Sequence, residues 1–255
     1  MIDRQDSDDI LAYAVRLGDD ALVLGQRISE WVSNGPFLEE DIAYANVALD
    51  FLGRARMYYR YAADLARDGR DEDHFAYRRN EREFTNLLIY ELPRGDFAFS
   101  QVRQLFVDLY NTGFLAGLGT SEDPQLAAIA AKTAKETRYH LRRSREWVLR
   151  LGDGTRESHS RTQKAVNELW GYTHELCDVD PLEQRLAARG VAVDNRMLRP
   201  AWYQAVSRVL DEATLEIPGD DWAVRGGRDG YHTESLGHLL TELQYIHRCY
   251  PGCCW

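Results

Sequence analysis

Apolar side chains return every seven residues from Ile10 through Leu17 and Leu24 to Trp31. Seven residues are about two turns of α-helix, so this recurrence lines one helix face with hydrocarbon and predicts a helix over about 8–32. Asn34-Gly35-Pro36 stops it. The same signal returns down the chain. A helix over about 38–67 carries Ile42, Ala45, Leu49, Leu52 and Tyr59 as its expected inner stripe and ends at Asp68-Gly69. The segment DEDHFAYRRNEREFTNLLIYEL reads as a shorter helix broken at Pro93-Arg94-Gly95. A helix over about 96–118 places Ala98, Val102, Leu105, Leu109 and Ala116 on one face. Ser121-Glu122-Asp123-Pro124 has the form of a cap with proline in the first turn. It opens a helix that runs to Leu151, with Ala127, Ala130, Ala134, Leu141, Val148 and Leu151 inward. Shorter helices follow near 156–173, 181–189, 199–214 and 232–249. No stretch alternates with a period of two, so these stripes are buried by packing helix on helix.

Four long helices within the first 151 residues, then shorter ones, predict an all-α chain. Its expected architecture is an antiparallel four-helix bundle with additional C-terminal helices packed around it. No linker-like segment interrupts the 255 residues. The expectation is therefore a single domain over 1–255, with its core bundle at about 8–151 and peripheral helices at about 156–250. A formal net charge of −10 argues against a general nucleic-acid binder, because a phosphate backbone is repelled over most of such a surface. No run of 18 apolar residues predicts a membrane span. The first ten residues, MIDRQDSDDI, are acidic and lack a signal-peptide core, and the expected location is cytoplasmic. Of the four cysteines, Cys177 stands alone and Cys249, Cys253 and Cys254 crowd the end. That spacing is neither a disulfide framework nor a paired C-x-x-C zinc site.

Polar residues that fall on the apolar stripes are the chemical candidates. Bundles that hold two irons take one Glu from each of two helices and a Glu-x-x-His pair from each of the other two. Residues i and i+3 share a helix face, so each pair can reach one metal. Asp20 sits in the series Ile10, Tyr13, Leu17, Asp20, Leu24. Asp50 shares a stripe with Asn46, Gly53 and Met57. Asp108 lies with Gln101, Leu105, Thr112 and Leu115, and Thr137 and His140 lie with Ala130, Ser144 and Trp147. Where Glu-x-x-His is needed, the second helix offers Asp50-x-x-Gly53 and the later helix Thr137-x-x-His140. One pair lacks the imidazole and the other the carboxylate. The pattern reads as a di-iron bundle that has lost its metal site, with Asp20, Asp50, Gly53, Asp108, Thr137 and His140 at the former ligand positions. The competing reading is a set of structural polar groups, in which Asp20, Asp50 and Asp108 pair with Arg27, Arg54 or Arg56.

Four further features invite a functional reading. Tyr58 and Tyr61, in Met57-Tyr58-Tyr59-Arg60-Tyr61, suit either a protein interface or packing beneath other helices. Arg138, Arg142, Arg143 and Arg145 could hold coenzyme A phosphates or a partner's acids, or form a solvated helix face. His232, Glu234, His238, Glu242 and His247 do not reproduce H-E-x-x-H. The preceding Gly226-Gly227-Arg228-Asp229-Gly230 lacks the lysine and the strand of a P-loop, and reads as a loop capping the last helix.

Several long motifs, in order, make a resemblance specific: LGDDALVLGQRISEW, EEDIAYANVALDFLGRARMYYRYAADL, EREFTNLLIYELPRGDFAF, AKETRYHLRRSREWVLRLGDGTRESH and GGRDGYHTESLGHLLTELQYIHRCYPG. Over roughly residues 8–255 the chain resembles the non-catalytic C subunits of bacterial phenylacetyl-CoA epoxidases. The match is weakest at 175–200, and Cys253-Cys254 departs from the small residues usual at the end. The resemblance implies a ferritin-like bundle, a degenerate paralogue of the catalytic A subunit. It implies no catalytic residue, metal or cofactor in this chain, and a di-iron centre in the partner A subunit. The expected partners are that A subunit and further subunits, including a flavin and iron-sulfur reductase, in a complex that epoxidises phenylacetyl-CoA with O2. A homodimer of the isolated chain is left open. So are two other functions: a metal-binding oxidoreductase using Asp20, Asp50, Asp108 and His140, and a helical scaffold with no redox role.

Overall fold

A computed structural model describes residues 4–253, and side chains from residue 7. Cys254 and the first three residues of the acidic N-terminal stretch lie outside the described residues. Among the described residues every regular element is helical and no strand occurs. The α-helices are α1 Arg4–Ser29, α2 Leu38–Ala66, α3 Glu72–Tyr77, α4 Leu88–Glu91, α5 Phe97–Leu118, α6 Pro124–Gly152, α7 Arg156–Trp170, α8 Pro181–Ala188, α9 Arg199–Glu212 and α10 Glu234–Cys249. Their internal contacts divide the chain into two compact units, Met1–Pro93 with Gly226–Trp255, and Arg94–Arg225.

The first unit is built on the antiparallel hairpin of α1 and α2. Gly18 lies under the Tyr59 ring and Gly25 against Leu52, so the two helices run in opposite directions past each other. A Cβ on Gly18 would stand 2.4 Å from the Tyr59 ring, which makes glycine a condition of this packing. The α1 stripe is buried as its sequence predicts, with Ile10, Leu17, Leu24 and Trp31 all in the core. In α2 the buried face differs from the expected one. Tyr44, Val47, Ala48, Phe51, Ala55, Tyr58, Tyr59 and Ala62 are buried, while Ile42 and Leu49 are exposed. This helix carries two apolar stripes, and the one with four aromatic rings, which buries far more area, faces inward. Trp31 stacks on Tyr44 with centroids 5.2 Å apart.

The segment between α3 and α4 is not one helix. A 3₁₀ turn at Glu81–Glu83, closed by reciprocal Asn80 and Glu83 capping bonds, leads into extended backbone at Phe84 and Leu87. Two carboxylates of α1 hold that backbone away from helix: Asp19 accepts the Thr85 N–H at 2.9 Å and Asp20 accepts the Leu87 N–H at 2.8 Å. α10 belongs to this unit and packs against α3.

The second unit is built on α5 and α6, also antiparallel. Phe97 meets Trp147 edge to face, and Asp108 is bonded to Ser144 further along. Nearly every residue of α5 from Ala98 to Asp108 is buried, because α6, α7 and α9 all pack against it. Phe106, Trp170 and Trp202 form a cluster with centroids 5.9–6.0 Å apart. The Trp202 indole donates to the Phe106 carbonyl at 2.9 Å. A 3₁₀ stretch, Gly171–Cys177, replaces the last turn expected of α7. Four long helices paired as two antiparallel hairpins are consistent with an all-α, ferritin-like bundle.

Candidate functional site

The six former-ligand candidates are divided between the two units, and each unit treats its own differently. In the first, α1 buries Asp20, while α2 leaves Asp50 half-buried and Gly53 exposed. A Cβ built on Gly53 meets no atom within 4 Å. In the second, Asp108, Thr137 and His140 are all buried.

Asp20 is an ion pair. Arg228, from the glycine-rich loop before α10, donates to both carboxylate oxygens at 3.0 and 2.8 Å. The arginine is none of the three the sequence suggests, because the loop that carries it is 208 residues away in the chain. Burial pushes the Asp20 carboxyl up to about 6, although Arg228 and the Leu87 N–H pull it down. The desolvation cost therefore exceeds the attraction, the usual balance for an ion pair removed from water.

Its neighbour Asp19 is the larger hub. It accepts from the Tyr59 hydroxyl at 2.6 Å, the Thr85 hydroxyl at 3.1 Å and both terminal nitrogens of Arg79, in addition to the Thr85 N–H. Burial disfavours the Arg79 charge, but Asp19 and Tyr59 outweigh it and hold the guanidinium above its ordinary value. Successive residues of a helix point about 100° apart, so Asp19-Asp20 sends one carboxylate to each of two arginines.

A third node lies at the start of α10. Glu91 accepts from the Asn86 amide at 2.8 Å, the Thr233 N–H at 2.6 Å and the His232 Nδ1 at 2.7 Å. The His232 Nε2 faces the Phe84 carbonyl at 2.9 Å. A carbonyl oxygen only accepts, so Nε2 carries a proton, and the carboxylate at Nδ1 favours a second one. Burial lowers the His232 pKa, but the bonds to Glu91 and Phe84 leave it above its ordinary value. The other histidines near the end go elsewhere: His247 stacks on Tyr77 at 3.9 Å, and His238 is exposed.

In the second unit the Asp108 oxygens accept from Gln104 at 2.7 Å and Ser144 at 2.8 Å. In neither unit do three or more His, Cys, Asp or Glu side chains converge as a metal site, among the described residues. Asp19, Asp20, Glu91 and Asp108 are met by arginine, imidazole, amide or hydroxyl groups, which satisfy a buried carboxylate without a cation from solution.

The profile of the family described as phenylacetic acid catabolic protein matches residues 1–255. The chain belongs to the phenylacetic acid catabolic protein family. It is similar to the C subunit of the 1,2-phenylacetyl-CoA epoxidase of Escherichia coli (strain K12). The two are 49% identical over 246 residues, which cover 96% of this chain and 99% of that protein.

In this family member the aromatic and basic candidates spread over different environments. Tyr58 is buried, and burial raises its pKa; Tyr61 is half-buried. Arg143 is buried, and Arg145 bonds Glu212 of α9 at 2.5 Å. Arg138 and Arg142 are exposed, with the Arg142 guanidinium 5.8 Å from the Tyr139 ring. Sequence reasoning missed Asp19, Arg79, Arg228 and Glu91, the partner of His232. Asp-Asp on a predicted inner stripe was the available signal, since two adjacent buried acids demand two sets of donors. No helix among the described residues is long and apolar enough to cross a membrane.

Proposed function

We propose that this chain is the non-catalytic, structural component of a multi-subunit phenylacetyl-CoA epoxidase of aerobic phenylacetate catabolism. In this reading it pairs with and stabilises a catalytic subunit that carries the di-iron centre, and it takes part in an assembly served by a flavin and iron-sulfur reductase. The near full-length similarity to the C subunit of an epoxidase supports the assembly. The observation that carries the non-catalytic role is the state of the template positions. Gly53 has no donor atom, Asp20 is saturated by Arg228 and Leu87, and Asp108 is engaged by Gln104 and Ser144. A carboxylate already paired with a buried guanidinium must break that pair before it can ligate, which costs about 3–5 kcal/mol for the stranded arginine.

The test joins metal analysis to co-purification. The chain, expressed alone in iron-replete cells, should carry well under one iron per chain. Co-expressed with a catalytic A-type subunit, it should elute as a stable complex whose iron follows the catalytic chain. About two irons bound to the isolated chain would make it an oxidoreductase in its own right, and failure to form a complex would leave only a helical scaffold.

A further inference from the structure

We infer that Cys249 and Cys253 form a redox-responsive dithiol, which closes into a disulfide across Tyr250-Pro251-Gly252 and fixes the last turn of α10. This goes beyond the epoxidase assembly and does not depend on it. The chain carries four cysteines, and three of them fall within its last seven residues. Cys249 ends α10 and is exposed, and Cys253 is exposed as well. Cys177 is buried, and burial pushes its thiol up to about 11, so it carries almost no thiolate near neutral pH. Reactive sulfur is thus concentrated at the end of α10, where a small disulfide in solution can reach it.

The backbone folds Cys253 back toward that helix end. The Tyr250 N–H donates to the Ile246 carbonyl at 3.0 Å, so helical bonding reaches one residue past Cys249. The Tyr250 carbonyl in turn accepts from the Cys253 N–H at 3.3 Å. Between them Pro251 and Gly252, with φ 85° at the glycine, occupy the central positions of a type II turn. Cys249 and Cys253 therefore flank a chain reversal with three residues between them. Proline fixes one dihedral in advance and so short a loop costs little closure entropy. The second thiol is then at high effective concentration once the first has reacted. A disulfide in so short and exposed a loop is of the labile, reversible kind, and not part of a structural framework.

The oxidant is a low-molecular-weight disulfide such as oxidised glutathione. One cysteine thiolate attacks a glutathione sulfur and expels a glutathione thiolate, leaving a mixed disulfide. The other cysteine thiolate attacks the protein sulfur of that bond and expels the second glutathione. The two cysteines lose two protons and two electrons, and the oxidant takes up both and leaves as two thiols. Closure acts on the end of α10, which is otherwise tied to its unit by Arg248, donating to the Arg79 carbonyl at 2.8 Å, and by the stack of His247 on Tyr77. A covalent tie across the turn holds Cys249 and Tyr250 against fraying from those anchors.

Intact-mass spectrometry of the full chain, alkylated after denaturation, tests this before and after treatment with about 5 mM oxidised glutathione. The peptide map of the oxidised wild type should contain a Cys249–Cys253 bond. Cys254→Ser should take three labels when reduced and one when oxidised, and retain no glutathione. In that background, Cys249→Ser or Cys253→Ser should instead keep one glutathione as a mixed disulfide. Hydrogen exchange over residues 246–250 should be about threefold slower in the oxidised wild type than in the reduced one. With Cys249→Ser the two states should exchange alike. The proposal is overturned by a wild type that gives only mixed disulfides or links between chains. It is equally overturned by a bond from Cys249 to Cys254, or by exchange that is indifferent to oxidation.

Discussion

Asp19→Ala should cost about 4–5 kcal/mol of unfolding free energy, a third or more of a typical total. The estimate follows from what the carboxylate holds. Its removal leaves the Arg79 guanidinium buried, with 8% of its side chain accessible and no counter-charge. Breaking one side of a buried pair typically costs about 3–5 kcal/mol. Arg79 keeps bonds to the Phe75 carbonyl at 2.7 Å and the Glu83 carbonyl at 2.9 Å, which puts this case at the lower end, about 3 kcal/mol. The Tyr59 hydroxyl and the Thr85 N–H also lose their acceptor, and stranded polar groups add about 1–2 kcal/mol. The double variant Asp19→Leu with Arg79→Met removes both charges and restores apolar volume, so it should cost only about 1–2 kcal/mol. Urea denaturation at pH 7, followed in parallel by far-UV circular dichroism and tryptophan fluorescence, of the wild type, Asp19→Leu, Arg79→Met and the double variant gives all four corners of the cycle, with Asp19→Ala measured alongside. The reasoning fails if Asp19→Ala costs less than about 1 kcal/mol, or if the double variant costs as much as the two single variants added together.

Stability should fall as pH rises from about 4 to 6, and again as pH climbs above about 6.5. The folded pKa of Asp20 is raised from 3.8 to about 6, so the folded chain binds a proton that the unfolded chain releases across that window. His232 is raised as well, so its contribution is complete below about 6.5 and is lost as pH climbs through its folded value. Melting temperature against pH should show both limbs, and His232→Gln should remove the upper one. Gly53→Ala should raise stability by about 0.5–1 kcal/mol, because an exposed mid-helix glycine with open space around it gains only the reduced backbone entropy cost. Gly227→Ala should lower stability by about 1–3 kcal/mol, because its Cβ would stand 2.2 Å from the Asn86 carbonyl oxygen. Trp202→Phe should cost about 1 kcal/mol for the lost bond to the Phe106 carbonyl, read from the same urea curves.

Much of the helical frame was legible in the sequence because it rests on local signals. Seven-residue recurrence located α1, Asn34-Gly35-Pro36 ended its hairpin arm, and Asp123-Pro124 opened α6 with the Asp123 carboxylate capping two backbone N–H groups. The inner face of α2 was not legible from aliphatic spacing. Two apolar stripes compete on that helix, and burial of ring area decides between them. The 84–87 segment reads as helix by local propensity, yet acids from another helix claim its backbone donors.

By itself, the sequence determined that this chain is all-α, that its longest helices lie in its first 151 residues, and which family it resembles. These properties depend on neighbours within a turn or two, or on motifs in order. Only the tertiary structure decided that Asp20 is met by Arg228, Asp19 by Arg79, and Glu91 by His232. Each of those partners is separated from its acid by 60 to 208 residues. A buried carboxylate must find donors wherever the fold brings them, and helical periodicity carries no information about residues that distant.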